Sequence, residues 1–414
     1  MVKWRNIIFP GYWLMVIILF SGCAKSPEAV NQSPLLTLTQ TSDGLQVTVK
    51  GSATDPDGTA TSVSIAWGDQ QAGDLPAKDI PGFEISHLYA KPGNYDIIIT
   101  ARDDAGADTR RILSFSADFR EISLNGIRPS LYKSSPGEYL VLTLNLHTYQ
   151  EARQLEKLMM IADVIGKMDI DFICFQECAQ SRYAAISSGI IREDNTALLI
   201  SGMVGEKYHF TYPFSWAWSH YGWDVYEEGV AVLSKYAITQ AADRYISTNT
   251  STGSITSRKV IWASCQAPGG LFHIFSAHTH WRTSLTDEEQ NTQIRHIKSM
   301  VAEKENASPG ALSFACGDFN GNPTDDYPWS EGYNTMMATG DYADTFLEAN
   351  PGANQKPGQS IYNTIGGDFP GRIDYIFMKQ SSRMQVSDSQ IIFTPDIVGL
   401  VSDHFGVLTK VVVN

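Results

Sequence analysis

The stretch Leu312-Ser313-Phe314-Ala315-Cys316-Gly317-Asp318-Phe319-Asn320 constrains the fold of this 414-residue chain more than any other. Its first half is a short apolar run with the length of a buried strand. The run breaks at Gly317, and Asp318 and Asn320 follow at the strand end, ahead of the turn residues Gly321, Asn322 and Pro323. A carboxylate and an amide two residues apart suit gripping a metal-bound or protonated phosphate oxygen. The same residue types are also ordinary turn formers, so the stretch alone leaves both roles open.

Four further stretches narrow the choice. Leu142-Thr143-Leu144-Asn145 ends an apolar strand on an amide, and Asp171-Phe172-Ile173-Cys174-Phe175-Gln176-Glu177 ends one on a carboxylate. Arg372-Ile373-Asp374-Tyr375-Ile376 places an acid inside a strand, and Ser402-Asp403-His404 precedes the last one. In this order, with Gly-Asp-Phe-Asn between, the five resemble the endonuclease/exonuclease/phosphatase family. That superfamily includes pancreatic-type deoxyribonuclease, abasic endonucleases, inositol polyphosphate phosphatases and bacterial sphingomyelinases. The resemblance spans residues 139–414 and implies an α/β fold, a four-layered α/β sandwich, that hydrolyses phosphate esters.

The length allows two or three domains. The net charge of −14 is spread along the chain and disfavours tight non-specific binding to nucleic acid. It does not exclude a nuclease, because a metal ion supplies positive charge within a cleft. At the N-terminus, Lys3 and Arg5 precede an apolar run from Ile7 to Phe20 that is short for a membrane span. Phe20-Ser21-Gly22-Cys23 resembles a bacterial lipoprotein signal, with residues 1–22 as signal peptide and Cys23 as the lipidated residue; a plain secretory signal or an uncleaved anchor is the alternative. Ala24, where an Asp is absent, points by the same resemblance to the outer membrane. Cys174, Cys178, Cys265 and Cys316 do not have zinc-site spacing and are expected as buried thiols; an exported protein could form one disulfide among them, but its pairing is not assigned.

Residues 24–34 form a polar tether. From 35 to 116, short alternating strands separated by turns indicate a small N-terminal all-β sandwich. Asp55-Pro56-Asp57-Gly58, Trp67-Gly68-Asp69, His87-Leu88-Tyr89, Pro92-Gly93-Asn94-Tyr95 and Asp103-Asp104-Ala105-Gly106 make it similar to a polycystic-kidney-disease (PKD) repeat. Asp55 and Asp57 are calcium candidates, or simply turn formers. A linker with Pro129, Pro136 and Gly137 follows. Leu155, Leu158, Ala162 and Ile165 have helical spacing within 151–168, and Thr286-Asp287-Glu288-Glu289 reads as a capping box ahead of Ile294, Ile297 and Val301. Strands are expected over 229–234, 258–265, 271–277, 312–316, 373–377 and 405–413.

Phosphate-ester hydrolysis needs charge neutralisation, an activated water and a stabilised leaving group. Glu177, at the mouth of a core, is the leading metal ligand, with Asn145 and Asp403 adding oxygen donors for Mg2+, or for Mn2+ or Ca2+. Asp374 inside a strand needs a partner, and His404 supplies one. Two histidines, His278 and His280, end the strand at Ser276. The Thr-His register usual in the family selects His280 to contact the phosphate or donate a proton, with His278 as the alternative. Glu228 is expected to orient His280, Arg258 to clamp the phosphate and Asn320 to contact it. The general base is Asp318, or His404 with Asp374. One departure from the family pattern is His147, where some members carry an acid, so a two-metal site does not follow. Tyr212–Trp223, dense in aromatics, is expected either in the core or as a loop at the cleft rim that stacks on a base or sugar or dips into lipid. The sequence thus predicts an exported, monomeric phosphoesterase, nuclease-like, on a phosphodiester or phosphomonoester. The alternatives are a sphingomyelinase-like phospholipid phosphodiesterase and an inactive binding protein on the same fold.

Overall fold

The computed structural model describes residues 30–118, 121–326, 328–355, 362–367 and 371–414. The expected signal peptide and Cys23 lie outside the described residues. The chain divides into a smaller unit ending at Ser116 and a larger one of Ala117–Asn414 together with the short stretches Asp43–Leu45 and Ala90–Pro92.

The smaller unit is all-β. Its strands are β1 (Leu35–Asp43), β2 (Gln46–Thr54), β3 (Ala60–Ala66), β4 (Ala72–Asp74), β5 (Phe83–Leu88), β6 (Gly93–Asp103) and β7 (Asp108–Ala117). They form two sheets, ordered β1-β2-β5 and β4-β3-β6-β7. Alternate residues such as Val47, Val49, Val63, Ile65, Ile97 and Ile99 are buried, as period-two patterning requires. The Trp67 ring stacks on His87 with centroids 4.7 Å apart, and His87 Nε2 meets Asp69 Oδ2 at 2.7 Å.

The larger unit holds β8 (Glu138–Asn145), α1 (Gln154–Met168), β9 (Phe172–Ser181), β10 (Ile186–Ser188), β11 (Ile191–Arg192), α2 (Thr196–Tyr208), β12 (Phe214–Gly222), β13 (Tyr226–Ser234), β14 (Ile238–Tyr245), β15 (Lys259–Ala267), β16 (Gly270–His278), α3 (Glu289–Ala307) and β17 (Leu312–Asp318). It continues through α4 (Glu331–Met337), β18 (Tyr342–Asp344), α5 (Thr345–Ala349), β19 (Asp374–Lys379), β20 (Met384–Ile392) and β21 (Gly406–Val413). Two six-stranded sheets, β12-β13-β9-β8-β21-β20 and β14-β15-β16-β17-β19-β18, pack face to face. Each contains one parallel pair joined by a helix: β8-α1-β9 and β16-α3-β17.

Alternation along the strands produces four layers. Val141, Phe172 and Cys174 of one sheet meet Ile274, Phe314 and Ile376 of the other. Their sequence neighbours Leu142, Ile173 and Phe175 face outward onto Leu158, Ile161 and Ile165 of α1. On the far side, Phe275, Ala315 and Phe377 meet Ile294, Ile297 and Val301 of α3. Strands buried on both faces read as continuous apolar runs, which is why β8, β9 and β17 stood out in the sequence. All four cysteines of this unit are buried and free.

Two expectations change. The aromatic segment is β12, an edge strand and not a loop: Trp216 Nε1 donates to the Cys178 carbonyl at 2.8 Å, and Tyr212 is buried against α2 and β9. The capping box does not form. Asp287 instead accepts from the Thr283 hydroxyl at 2.6 Å and from the Glu289 amide at 3.0 Å.

Gly317 is the residue that lets β17 end as it does. Its φ of +146° belongs to glycine, and a Cβ there would lie 1.9 Å from the Ala277 carbonyl oxygen. Gly317→Ala should therefore cost about 2–4 kcal/mol, from backbone strain plus overlap, and be visible as a lowered midpoint in urea unfolding. An unchanged midpoint would show that β16 and β17 have slack at this point.

Candidate active site

Strand register brings the first three groups together. His278 of β16 is opposite Asp318 of β17, and Asp318 is opposite Asp374 of β19, so one row crosses three strands at their ends. His404, in the turn before β21, completes the cluster: its Nδ1 lies 2.9 Å from Asp374 Oδ2 and its Nε2 3.8 Å from Asp318 Oδ2. His278 Nε2 lies 3.5 Å from the same Asp318 oxygen.

The other sheet supplies Asn145 and Glu177. Glu177 sits where β9 bulges against β13, with a left-handed φ of 45°, and a bulge of this kind re-aims a side chain out of the strand's alternation. Asn145 Nδ2 donates to Glu177 Oε1 at 3.0 Å and to Asp318 Oδ2 at 3.1 Å, linking the two sheets. Its Oδ1 accepts from the His147 amide at 3.0 Å, so Asn145 acts here as a bridge between two acids and not as a free oxygen donor.

Burial dominates the electrostatics. Burial and the charge of Asp374 push the Asp318 carboxyl up to about 7, against the pull of His404 and of the Asn320 and Asn145 hydrogen bonds. For His404 burial works the other way and is outweighed by Asp374 and Asp318, which hold its pKa up at about 10. Glu177 is raised by burial and by the charge of Glu228. His278 is driven well below its ordinary range by burial and by Arg258. Arg258 Nη1 faces His278 Nδ1 at 3.4 Å, and a guanidinium only donates; the ring proton of His278 is therefore on Nε2, directed at Asp318.

Glu228 does not orient His280. Its Oε1 lies 3.5 Å from Arg258 Nη1 and 3.2 Å from His220 Nε2, while His220 Nδ1 meets the Ser257 carbonyl at 3.0 Å. Burial would raise Glu228, and the His220 ring and Arg258 together hold it low. His220 was not singled out from the sequence. The signal was its register, since the β12–β13 hairpin places it opposite Glu228.

His278, not His280, faces Asp318. Strand β16 ends at His278, and the next two residues turn away: the His280 amide donates to Gln293 at 2.7 Å and its Nε2 is 3.7 Å from Asp287. Asn320 spends its amide on the Thr279 carbonyl at 3.0 Å, holding the loop against Asp318. Asp403 belongs to a second cluster. It lies 3.5 Å from His147 Nδ1, which also meets Glu151 at 2.7 Å, and the three donors fall within 4.8 Å of one another.

Residues 155–404 match the model of the endonuclease/exonuclease/phosphatase family, and residues 31–115 match a PKD domain. A family protein from Leptotrichia buccalis is 26% identical, with TM-score 0.56 over 66% of this chain and 99% of its own. A second, from Beutenbergia cavernae, is 20% identical with TM-score 0.49 over 67% and 72% of the two chains. A mannosyl-6-phosphatase from Bacteroides thetaiotaomicron is 17% identical with TM-score 0.44 over 66% and 99%. No curated protein matches. The site and the layered sandwich define a phosphoester hydrolase class. The chain belongs to the endonuclease/exonuclease/phosphatase family, with a PKD domain ahead of it.

The raised pKa of His404 carries a sign. Between pH 6.5 and about 10 the folded ring keeps a proton that the unfolded chain releases, so this contribution is full below 6.5 and lost as pH climbs through 10. In chelator, the melting temperature of wild type should fall more steeply over that window than that of His404→Gln. Equal slopes would show that Asp374 does not hold the charged ring.

Proposed function

We propose that the larger unit is a divalent-metal-dependent phosphoesterase in which Asp318 activates the attacking water. The observation that carries this is the row itself: His404 is tied to Asp374 at 2.9 Å, while Asp318 stands 3.8 Å from its other ring nitrogen with Asn145 and His278 on its flanks. His404 keeps its proton up to about pH 10, so it is no base at neutral pH; Asp318, at about 7, is. The sequence left that choice open.

A divalent cation fits Glu177. Its carboxyl is raised by burial and by the Glu228 charge, and a cation would return it to the anion with hard oxygen ligation. When bound, the ion supplies positive charge to the phosphoryl and leaving oxygens. The remaining work falls to side chains. Asp318 takes the water's proton as the oxygen attacks phosphorus in line with the ester oxygen, which departs with the bond pair. The His404 imidazolium, fixed by Asp374, and the Arg258 guanidinium, fixed by Glu228 and His220, neutralise the phosphoryl oxygens. Neutral His278, its Nε2–H directed at Asp318, keeps its proton and orients the carboxylate that receives the water's. Asn145 keeps Glu177 and Asp318 in fixed relation.

The choice of Mg2+, a monomeric state, and export as a lipoprotein anchored at Cys23 in the outer membrane belong to the same proposal. Oxygen-donor chemistry supports the choice of Mg2+, and the apolar run ahead of Cys23 supports the anchor.

Three measurements test it. With Mg2+ and bis-p-nitrophenyl phosphate, kcat/KM should rise with pH through an apparent value near 7, and Asp318→Asn should lose about 10²–10⁴-fold. Retention of the pH rise in that variant would remove Asp318 as the base. Glu177→Gln should weaken the Mg2+ titration along with turnover; an identical titration would place the metal elsewhere. His278→Ala should be severe and His280→Ala mild, and the reverse result would mean that the loop after β16 swings on binding substrate.

A further inference from the structure

The large apolar side chains exposed on the larger unit are not scattered. Among the described residues, all but Tyr132 lie in loops, or in the short strand β10, at the end of the sandwich that carries Asp318 and Glu177. Tyr183 and Ile186 lie beyond the end of β9, Trp223 tips the β12–β13 turn, Ile255 precedes β15, and Trp281 and Leu285 follow β16. Tyr183 and Trp223 are the most exposed, at 81% and 76%. Their turns are joined, since the Arg182 amide donates to the Val225 carbonyl at 3.2 Å.

The rim is firmly built. Gln180 Nε2 holds the Ile190 carbonyl at 2.7 Å, and Arg192 pairs with Glu227 at 3.2 Å. Arg182 pairs with Asp224, so the charges at these turns are matched locally. The rim also continues into the site. Tyr149, in the loop after Asn145, stacks on Tyr226 with centroids 5.2 Å apart, two residues ahead of Glu228.

Single exposed apolar residues are normal on any protein, but their gathering at the one end of the sandwich that carries Asp318 and Glu177 marks a contact surface. We propose that this surface rests on a lipid bilayer, and that the ester hydrolysed is that of a phospholipid headgroup; this rests on the phosphoesterase function above. Tryptophan and tyrosine with isoleucine and leucine are the set that partitions to the bilayer interface. The chain's net charge of −14 opposes a polyanion such as nucleic acid, whereas a zwitterionic surface raises no such barrier. The sequence ahead of the smaller unit, with its apolar run and Cys23, predicts a lipid anchor that would keep the enzyme at a membrane. With the rim seated at headgroup level, the phosphate is presented to the end of the sandwich where Asp318, His278 and Arg258 converge.

The test uses the chain from residue 24 onward, which keeps both units and drops the expected anchor, with phosphatidylcholine vesicles. It should sediment with them. Joint replacement Trp223→Ser and Ile186→Ser should raise the lipid concentration for half-binding at least about tenfold at an unchanged melting temperature. Should that pair fail to fold, Trp223→Ser alone carries the measurement. Tyr132→Ser, at the opposite end, should leave binding unaltered. Failure of wild type to sediment, or equal binding by the Trp223 variants, overturns the proposal. Vesicle-independent self-association abolished by Trp223→Ser assigns the surface to a second copy and overturns it too. Hydrolysis of bis-p-nitrophenyl phosphate by the same preparation reports the chemistry separately: vesicle binding without it would remove the phosphoesterase and leave the bilayer surface standing.

Discussion

Asp318 is a carboxyl that has lost nearly all contact with water, set between a charged imidazole and a second carboxylate. Left alone it would take up a proton, and with His404 beside it the proton is lost near neutrality. That balance depends on geometry. His404 is held by Asp374 at 2.9 Å, and Asp374 is in register with Asp318 across an antiparallel pair. Register in a buried sheet is rigid because a slip of one residue would turn every side chain to the opposite face. The protonation states of the cluster are thus a property of strand pairing.

The cluster also spans two sheets. Asn145 belongs to one and Asp318 to the other, and the hydrogen bond between them, at 3.1 Å, closes the gap at the strand ends. The layer of Val141, Phe172, Cys174, Ile274 and Phe314 behind them fixes that spacing. A large-to-small change in this layer would lower stability and also move the spacing between Asn145 and Asp318.

Much of this was legible in the chain. Asp318, Glu177 and Asn145 stood out because each interrupts an apolar run, and strands buried on both faces leave such runs unbroken. The Asp374–His404 pair was legible because a carboxylate inside a strand needs a partner. Other features were not. Two histidines at the end of β16 differ only in which side of a turn they face, and that is decided by Gln293 and Asp287 of the following segment. The Asn145 amide could have offered its oxygen or its nitrogen, and the His147 amide decides which. His220 was hidden in an aromatic stretch that the sequence does not mark as a strand, because the register shift between Trp218 and His220 breaks its alternation. Asp403 adjoins His404 in sequence but turns outward, as neighbours in an extended turn do.

Strand β21 lies between β8 and β20, and β8 is its neighbour across most of the intervening chain. Pairings of such long range form late and slowly, because the loop they close must be ordered before contacts repay it. Just ahead of β21 comes His404. Until this strand docks, Asp374 and Asp318 face each other without the imidazole that lies between them in the finished sheet. The row of Asp318, Asp374 and His404 is therefore complete only when the last strand has closed its sheet.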